Sequence, residues 1–196
     1  MSYRERLAVV SPIKPAIGTE MDFFSPAYLQ LKKNFHQTLL ERIDLERLQQ
    51  LNAEQFGREL SHLIEHLIDE EKIMVNQAER RQLVIDMQHE MLGFGPIEPL
   101  LIDPTVSDIL VNGCSQIYVE RRGKLEITPI SFYDNAHLLK VIEKIVCRVG
   151  RRIDESSPMV DARLPDGSRL NVVLPPLAVD GPSITIRKFT CGRLTT

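Results

Sequence analysis

An Asp-Gly pair between two alternating runs is the feature that most constrains how this chain can fold. Asp166-Gly167 separates Val160–Leu164 from Arg169–Leu174, and apolar and polar residues alternate in both runs. An Asp-Gly pair supplies the positive φ that a tight hairpin turn requires. We therefore expect these runs to be antiparallel neighbours. A third alternating run, Ser183–Lys188, predicts another half-buried strand with its two isoleucines turned inward.

Three arginines project from these predicted strands, namely Arg163, Arg169 and Arg187. A guanidinium group is permanently charged and binds phosphate or carboxylate in a bidentate manner, so the three side chains would suit an anion site. Surface arginines are also common, and the same residues could be solvated side chains that pair with nearby aspartates such as Asp161. The residues alone leave both interpretations open.

The first half of the chain has the patterns of amphipathic helices. Ser25-Pro26 provides an N-cap and a first-turn proline for a helix that we expect to end near Ile43. Asn52 and Asn76, each followed three residues later by Gln or Glu, resemble capping boxes that begin two further helices. We expect Gly93 to end the last of them in the left-handed conformation. Three such helices with short polar links predict a three-helix bundle.

The second half changes character at Gly93–Pro96, which cannot continue a helix and which we interpret as a domain boundary. Short β-branched runs follow, with a hairpin tip at Arg121–Lys124. Asp134 then caps one helix that stops at Gly150. One helix among five or six short strands predicts an α+β sandwich. The expected organisation is a flexible leader (1–24), a three-helix bundle (25–92) and an α+β domain (93–196).

Composition and charge restrict the possible functions. The net charge is −3, and neither half of the chain is strongly basic, which argues against nucleic acid as a partner. No stretch approaches the roughly 18 apolar residues of a membrane span, so we expect a soluble cytoplasmic protein. The three cysteines are widely spaced and form no C-x-x-C pair, which argues against disulfides and structural zinc.

Two catalytic motifs were tested against the sequence. His62-Leu63-Ile64-Glu65-His66 matches the inverted zinc-protease motif H-x-x-E-H. Helical phase turns both histidines away from the apolar stripe and towards water, so we favour exposed helix residues and expect no metal site. The phosphate-binding pattern G-x-x-x-x-G-K followed by Ser or Thr is absent, because Leu125 follows the only Gly-Lys pair. ATP hydrolysis by the chain alone is therefore not expected.

Two stretches of the chain resemble a known family. They are V-D-A-R-L-P-D-G-S-R-L-N-V-V-L-P-P with S-I-T-I-R-K-F, and G-F-G-P-I-E-P-L-L-I-D-P-T-V-S-D-I-L-V-N-G at Gly93–Gly113. Both resemble the N-terminal region of the type II/IV secretion ATPases, and most closely the Flp or tight-adherence pilus ATPases, CpaF and TadA. The resemblance implies a PAS-like α+β domain. In the family, a RecA-like domain with the phosphate-binding loop follows this region, and that domain is missing from these 196 residues.

The resemblance also implies a role for the arginines. In the family, arginines of the N-terminal domain reach across a cleft towards the phosphates of a nucleotide held by the C-terminal domain. The matching positions are Arg169, directly after the D-G-S turn, and Arg187 in I-R-K-F, with Arg163 as a weaker candidate. Such an arginine stabilises negative charge as it develops on the γ-phosphate. ATP and magnesium are the cofactors implied for the full-length protein, and none is expected for this chain alone.

The partners implied by the resemblance are other copies of the same protein, in a hexamer, and an inner-membrane platform protein of a pilus or secretion system. The protein would then lie on the cytoplasmic side, peripheral to the inner membrane. The main alternative is a non-enzymatic sensor or adaptor whose α+β domain binds a small ligand such as a cyclic dinucleotide. Tight nucleotide binding by the lone chain would favour the sensor, whereas weak or absent binding would favour a shared site.

Overall fold

The computed structural model describes residues 24–43 and 53–189 of the 196-residue chain. The chain divides into two compact units, one ending at Gly95 and the other beginning at Pro96. The first unit contains helices α1 (Pro26–Arg42), α2 (Ala53–Glu70) and α3 (Gln77–Leu92), and a short 3-10 helix, Gly95–Ile97, follows α3. The second unit contains helices α4 (Glu98–Ile102) and α5 (Asn135–Arg148) and the strands β1 (Val106–Asn112), β2 (Gln116–Arg121), β3 (Lys124–Ile127), β4 (Met159–Arg163), β5 (Arg169–Val173) and β6 (Ser183–Arg187). The predicted α+β fold class is confirmed.

Helices α1 and α3 begin where their capping residues predict. The Ser25 hydroxyl accepts a hydrogen bond from the Tyr28 amide at 3.2 Å, which satisfies one of the free amides of the first turn of α1. At the start of α3, the Asn76 side chain accepts from the Glu79 amide at 3.0 Å, and the Glu79 carboxylate accepts from the Asn76 amide at 2.7 Å. This capping box is therefore confirmed. The predicted start of α2 at Asn52 and residues 1–23 of the predicted leader lie outside the described residues.

One apolar core is shared by the three helices. Its buried members are Phe35, Leu39, Ile43, Leu60, Ile64, Leu67, Ile68, Leu83 and Met87. The helix α3 ends at Gly93 as predicted, but the predicted left-handed conformation is wrong, because Gly93 has φ −96° and ψ −153° and is extended. The left-handed conformation occurs two residues later, at Gly95 with φ 61°. The chain leaves α3 extended, which places Phe94 in a buried position, and turns only afterwards into the 3-10 helix.

The second unit is built on an antiparallel sheet of six strands in the order β3-β2-β1-β6-β5-β4. The predicted β4–β5 hairpin is confirmed, but its loop is one residue longer than a two-residue turn. Leu164 and Ser168 close it, with the Leu164 amide donating to the Ser168 carbonyl at 2.8 Å. Gly167 supplies the expected positive φ, 87°. The pairing of β1 with β6 joins the first and last strands and places them at the centre of the sheet.

The two faces of the sheet differ in exposure. One face is apolar and buried, and its fully buried members are Ile109, Val111, Ile117, Val119, Leu170, Val172, Ile184 and Ile186. Helix α5 likewise buries an apolar stripe that includes Leu138, Ile142 and Val146, so the two surfaces supply the core of this unit. The opposite side, here called the outer face, carries mostly polar residues, which are exposed or half-exposed. Within the described ranges, no helix combines the length and apolar character needed to cross a membrane.

Candidate functional site on the outer face of the sheet

Arg163, Arg169 and Arg187 lie side by side on the outer face. Arg163 is directly opposite Arg169 in the β4–β5 ladder, and Arg169 is directly opposite Arg187 in the β5–β6 ladder. Opposite residues project to the same face, and neighbouring strands are about 4.8 Å apart, so the three side chains originate within roughly 10 Å of one another. All three are exposed. The fold therefore brings the three predicted site residues together in one line, which we call the arginine row.

The arginine row has little internal charge compensation. Asp161 lies 3.7 Å from Arg169, but the two side chains are 62% and 66% exposed, and an exposed pair of this kind contributes little. Within residues 24–43 and 53–189, no ion pair engages Arg163 or Arg187. Like charges directly opposite each other destabilise a sheet. An anion from outside the chain would relieve this repulsion.

A buried serine links the turn before β5 to the segment that follows β6, and these two strands carry Arg169 and Arg187. Ser168 precedes Arg169 and is 1% exposed; its hydroxyl donates to the Asp166 carboxylate at 2.7 Å and accepts from the Phe189 amide at 3.2 Å. A side chain at Gly167 would meet the Phe189 ring at 3.4 Å. The D-G-S turn is therefore packed and hydrogen-bonded to the residue that lies two positions after Arg187. This arrangement fixes the backbones of both arginines relative to each other.

Lys188 has a structural role that the sequence analysis missed. Its ammonium group donates to the carbonyl oxygens of Leu100 and Asp103, and its amide donates to the Ser107 carbonyl at 2.8 Å. The carbonyls of Leu100 and Asp103 lie at the C-terminal end of α4, where a cation is favourable. The two adjacent cations of I-R-K-F therefore differ in role, with Arg187 outward and Lys188 anchored. Strand alternation could have found this, because Lys188 shares the side of the buried Ile186.

The arginine row continues into two acidic residues. Asp108 is opposite Arg187 in the β1–β6 ladder, and Glu120 is opposite Asp108 in the β1–β2 ladder. Both acids are half-buried. The outer face thus changes from positive to negative between β6 and β1. No local sequence pattern indicates this feature, because it depends on a pairing between strands far apart in the chain.

The basic hairpin tip at Arg121–Lys124 is less solvated than its sequence indicates. Arg122 and Gly123 form the turn with φ 52° and 76°. Arg121 lies 3.0 Å from Asp103 and 3.4 Å from Glu126. Partial burial works to raise the pKa of Asp103, but hydrogen bonds from Thr105 and the Arg121 guanidinium hold that pKa below its usual value. Arg121 is therefore engaged with other parts of its own unit.

A polar groove of about 600 Å³ lies at the other end of the strands. Its lining includes Asn112, Gln116, Asn135, Asp180 and Ser183, and it contains no lysine or arginine. Ser183 begins β6 and Arg187 ends it, so the groove and the arginine row occupy opposite ends of the same strand. The groove therefore contains none of the predicted site residues and offers no cation to a phosphate.

The candidate zinc motif is displayed on the surface of α2. His62, Glu65 and His66 are all exposed, as helical phase predicts. His66 lies 3.8 Å from Glu70, one helical turn further on. The motif is thus the exposed side of an amphipathic helix whose opposite side is buried in the bundle.

Several known proteins are similar to this chain. An uncharacterized protein of Methanocaldococcus jannaschii is 35% identical over 122 residues, which cover 61% of this chain and 22% of that protein. VirB11 of Brucella suis, a type IV secretion system protein, is 33% identical over 101 residues, covering 51% of this chain and 28% of VirB11. The crystal structure of the VirB11 ATPase from the Brucella suis type IV secretion system, in complex with sulphate, has a TM-score of 0.46 at 31% identity over 51% of this chain and 31% of that one.

These matches extend over less than a third of the Methanocaldococcus jannaschii protein and of VirB11. The family described as "Type II/IV secretion system protein" matches residues 90–195, which is more than half of the 196-residue chain. The matched region contains the whole antiparallel sheet and all three members of the arginine row. The chain therefore belongs to the type II/IV secretion system protein family.

Proposed function

We propose that this chain is the N-terminal part of a secretion or pilus-assembly ATPase, and that the arginine row supplies positive charge to the phosphates of ATP held by another domain. Arg169 and Arg187 act as the catalytic pair, and Arg163 assists in binding the phosphates. The observation that carries the proposal is the register of the sheet, which aligns three arginines on one exposed face. Family membership supports the choice of ATP.

The chemistry of phosphoryl transfer suits such a row. The transferred phosphoryl group spreads negative charge over its oxygens, and catalysis depends on positioning and on electrostatic stabilisation. A guanidinium group can contact two of those oxygens at once and remains charged at every physiological pH. Magnesium, which accompanies ATP, would be held away from the arginine row, because like charges repel. The row therefore fits the phosphates, while the phosphate-binding loop and the metal ligands would come from the other domain.

The geometry also favours a shared site over a self-sufficient one. Pockets for small ligands bury most of the ligand, typically about 70–90% of its surface. The arginine row lies on an open face, so a nucleotide bound there by this chain alone would remain largely exposed. The polar groove could enclose a ligand but lacks a cation for a cyclic dinucleotide. A sensor that binds nucleotides unaided is therefore the weaker proposal.

The wider assignment rests on the family resemblance. We propose a homo-hexamer on the cytoplasmic side of the inner membrane, docked on a platform protein, which drives assembly of a Flp-type pilus or a related secretion system. The VirB11 relatives, named for type IV secretion systems, support the secretion context. The first unit, whose α2 surface carries many exposed charged residues, would serve contacts with partners.

Steady-state ATP turnover of the full-length protein tests the proposal. We expect Arg169→Ala and Arg187→Ala each to lower kcat roughly 100-fold or more, by analogy with other arginines that contact a transferred phosphoryl group. Lysine at either position should restore only part of the activity, because a point charge cannot contact two oxygens. Arg152→Ala is the matched control, since Arg152 is an exposed arginine outside the row.

Thermal melts separate the possible outcomes. Unchanged turnover with a normal melt would contradict the proposal and leave the arginines as solvated surface residues. Lost turnover with a collapsed melt would make them structural. A second measurement concerns the chain by itself: ATP binding in the millimolar range or weaker is expected of half a site, whereas tight binding would favour the sensor.

A further inference from the structure

The outer face carries an apolar cluster beside the charged rows. Leu125 and Ile127 on β3 are 60% and 66% exposed. Ile127 is opposite Tyr118 in the β2–β3 ladder, and Tyr118 is opposite Leu110 in the β1–β2 ladder, so their side chains lie on the same face. Leu110 and Tyr118 are half-buried. We call Leu110, Tyr118, Leu125 and Ile127 the apolar patch.

The apolar patch and the arginine row are parts of one surface. Leu125 is opposite Glu120, which is opposite Asp108, which is opposite Arg187. Three strand spacings therefore separate Leu125 from Arg187, a distance of about 14 Å. Along this line the surface changes from positive to negative to apolar.

The position of the apolar patch favours contact with another protein surface. Strand β3 is an edge of the sheet, and all four of its residues are exposed. Apolar residues on an exposed edge strand favour unwanted association, and natural proteins usually avoid or cover them. A cluster of apolar residues and a tyrosine beside charged residues is typical of a surface that another domain covers.

We propose that the apolar patch is the docking surface for the domain that brings ATP to the arginine row. This inference rests on the proposed function and adds the contact surface to it. A stable interface covers about 800 Å² on each partner, which corresponds to a disc with a radius of roughly 16 Å. Suppose that Arg187 lies at the centre of such a disc and receives the phosphates. The domain that presents them then also covers residues about 14 Å from Arg187, and Leu125 lies at that distance.

The charges define the chemistry of the docking partner. It presents anionic phosphates to the arginine row and an apolar surface to Leu125 and Ile127. Between these two regions it presents cations or hydrogen-bond donors to Asp108 and Glu120, because carboxylates enclosed in an interface need partners. Another copy of β3, paired edge to edge, is the competing occupant, and the experiment distinguishes the two.

Site-specific photocrosslinking in the full-length protein is the direct test. We replace Ile127 with p-benzoylphenylalanine, irradiate in the presence of ATP, and map the crosslinks by mass spectrometry. We expect crosslinks to the domain that carries the phosphate-binding loop. The control places the same group at Leu177, which is 56% exposed in the segment after β5 and is not part of the sheet. Crosslinks from position 127 to β3 of another copy, or to no partner, would overturn the inference.

Kinetics provide the second arm. The double variant Leu125→Thr with Ile127→Thr should lower kcat/KM for ATP about tenfold, while the melting of the second unit stays unchanged. Its matched control is Leu177→Thr with Val179→Thr, since these residues are 56% and 90% exposed outside the sheet. If Arg187→Ala abolishes turnover while the patch variant has no effect, the docking surface is wrong and the proposed function stands. If position 127 crosslinks to the nucleotide domain while Arg187→Ala is fully active, docking stands and the arginine role fails.

Discussion

We expect repulsion within the arginine row to lower the stability of the ligand-free chain, and we expect a bound anion to restore that stability. The variant Arg169→Gln tests both expectations. Arg169 is the central member and is opposite a like charge on each side. Each such pair costs about 0.2–1 kcal/mol. The exposed pair with Asp161 offsets part of this, by about 0.2–1 kcal/mol. We therefore expect Arg169→Gln to leave stability nearly unchanged or to raise it by up to about 2 kcal/mol, although it removes a charged side chain.

Pyrophosphate should stabilise the wild type more than it stabilises Arg169→Gln. With a dissociation constant of about 1 mM, 10 mM pyrophosphate stabilises the folded state by about 1.4 kcal/mol. For a unit of about 100 residues, this raises the melting midpoint by roughly 5–10 °C. The wild type should show this rise, and Arg169→Gln should lose most of it. Arg152→Gln, which removes an exposed arginine outside the row, should respond as the wild type does.

The assay is a thermal melt of the second unit with pyrophosphate, and with potassium chloride at the same ionic strength. Two results would refute the reasoning. One is an equal rise with potassium chloride, which would show that general screening and not anion binding relieves the repulsion. The other is an undiminished rise in Arg169→Gln, which would place any bound anion elsewhere.

Three further predictions follow from the fold. Lys188→Met removes the ammonium group that donates to the carbonyls of Leu100 and Asp103, so unfolding in urea should show a loss of about 1.5–3 kcal/mol, whereas Lys124→Met on the exposed edge strand should cost far less. The pKa of Asp103 is lowered in the folded state, so its ionised carboxylate contributes stability above its ordinary pKa of about 4, and this contribution is lost as the pH falls through the lowered pKa; melts of Asp103→Asn and wild type should therefore differ at pH 7 and converge under more acidic conditions. Residues 1–95 and 96–196, expressed separately, should each fold, and unfolded circular dichroism spectra for both halves would contradict the boundary.

Local patterns were sufficient to predict much of the fold. The capping box at Asn76 and the alternation around Asp166-Gly167 act within a few residues, and both are present as predicted. Turn details were less predictable, because Gly93 and Gly95 both permit a left-handed conformation and only the burial of Phe94 decides between them. Propensity identifies where a turn can form, whereas packing selects the residue that makes it.

Only the arginine part of the candidate site was predictable from local sequence patterns. Arg163, Arg169 and Arg187 belong to strands that follow one another in sequence, so alternation and the hairpin place them near each other. Asp108 comes next to Arg187 only because β1 pairs with β6 across most of the unit, and no local pattern specifies that pairing. The apolar patch depends on the same topology, because β1 connects it to the arginine strands.

Under the proposed function, this topology would let an open sheet carry one half of a shared ATP site. Ser168 ties the turn before Arg169 to Phe189 after Arg187, so the two arginines are positioned before any nucleotide arrives. The sequence lacks the G-x-x-x-x-G-K pattern followed by Ser or Thr, so under this proposal another domain would supply the phosphate-binding loop. Docking through the apolar patch would then complete the site, and the repulsion within the arginine row would be relieved only when phosphates lie against it. On this argument, ATP and the docked domain reinforce each other, because each lowers the free-energy cost of binding the other.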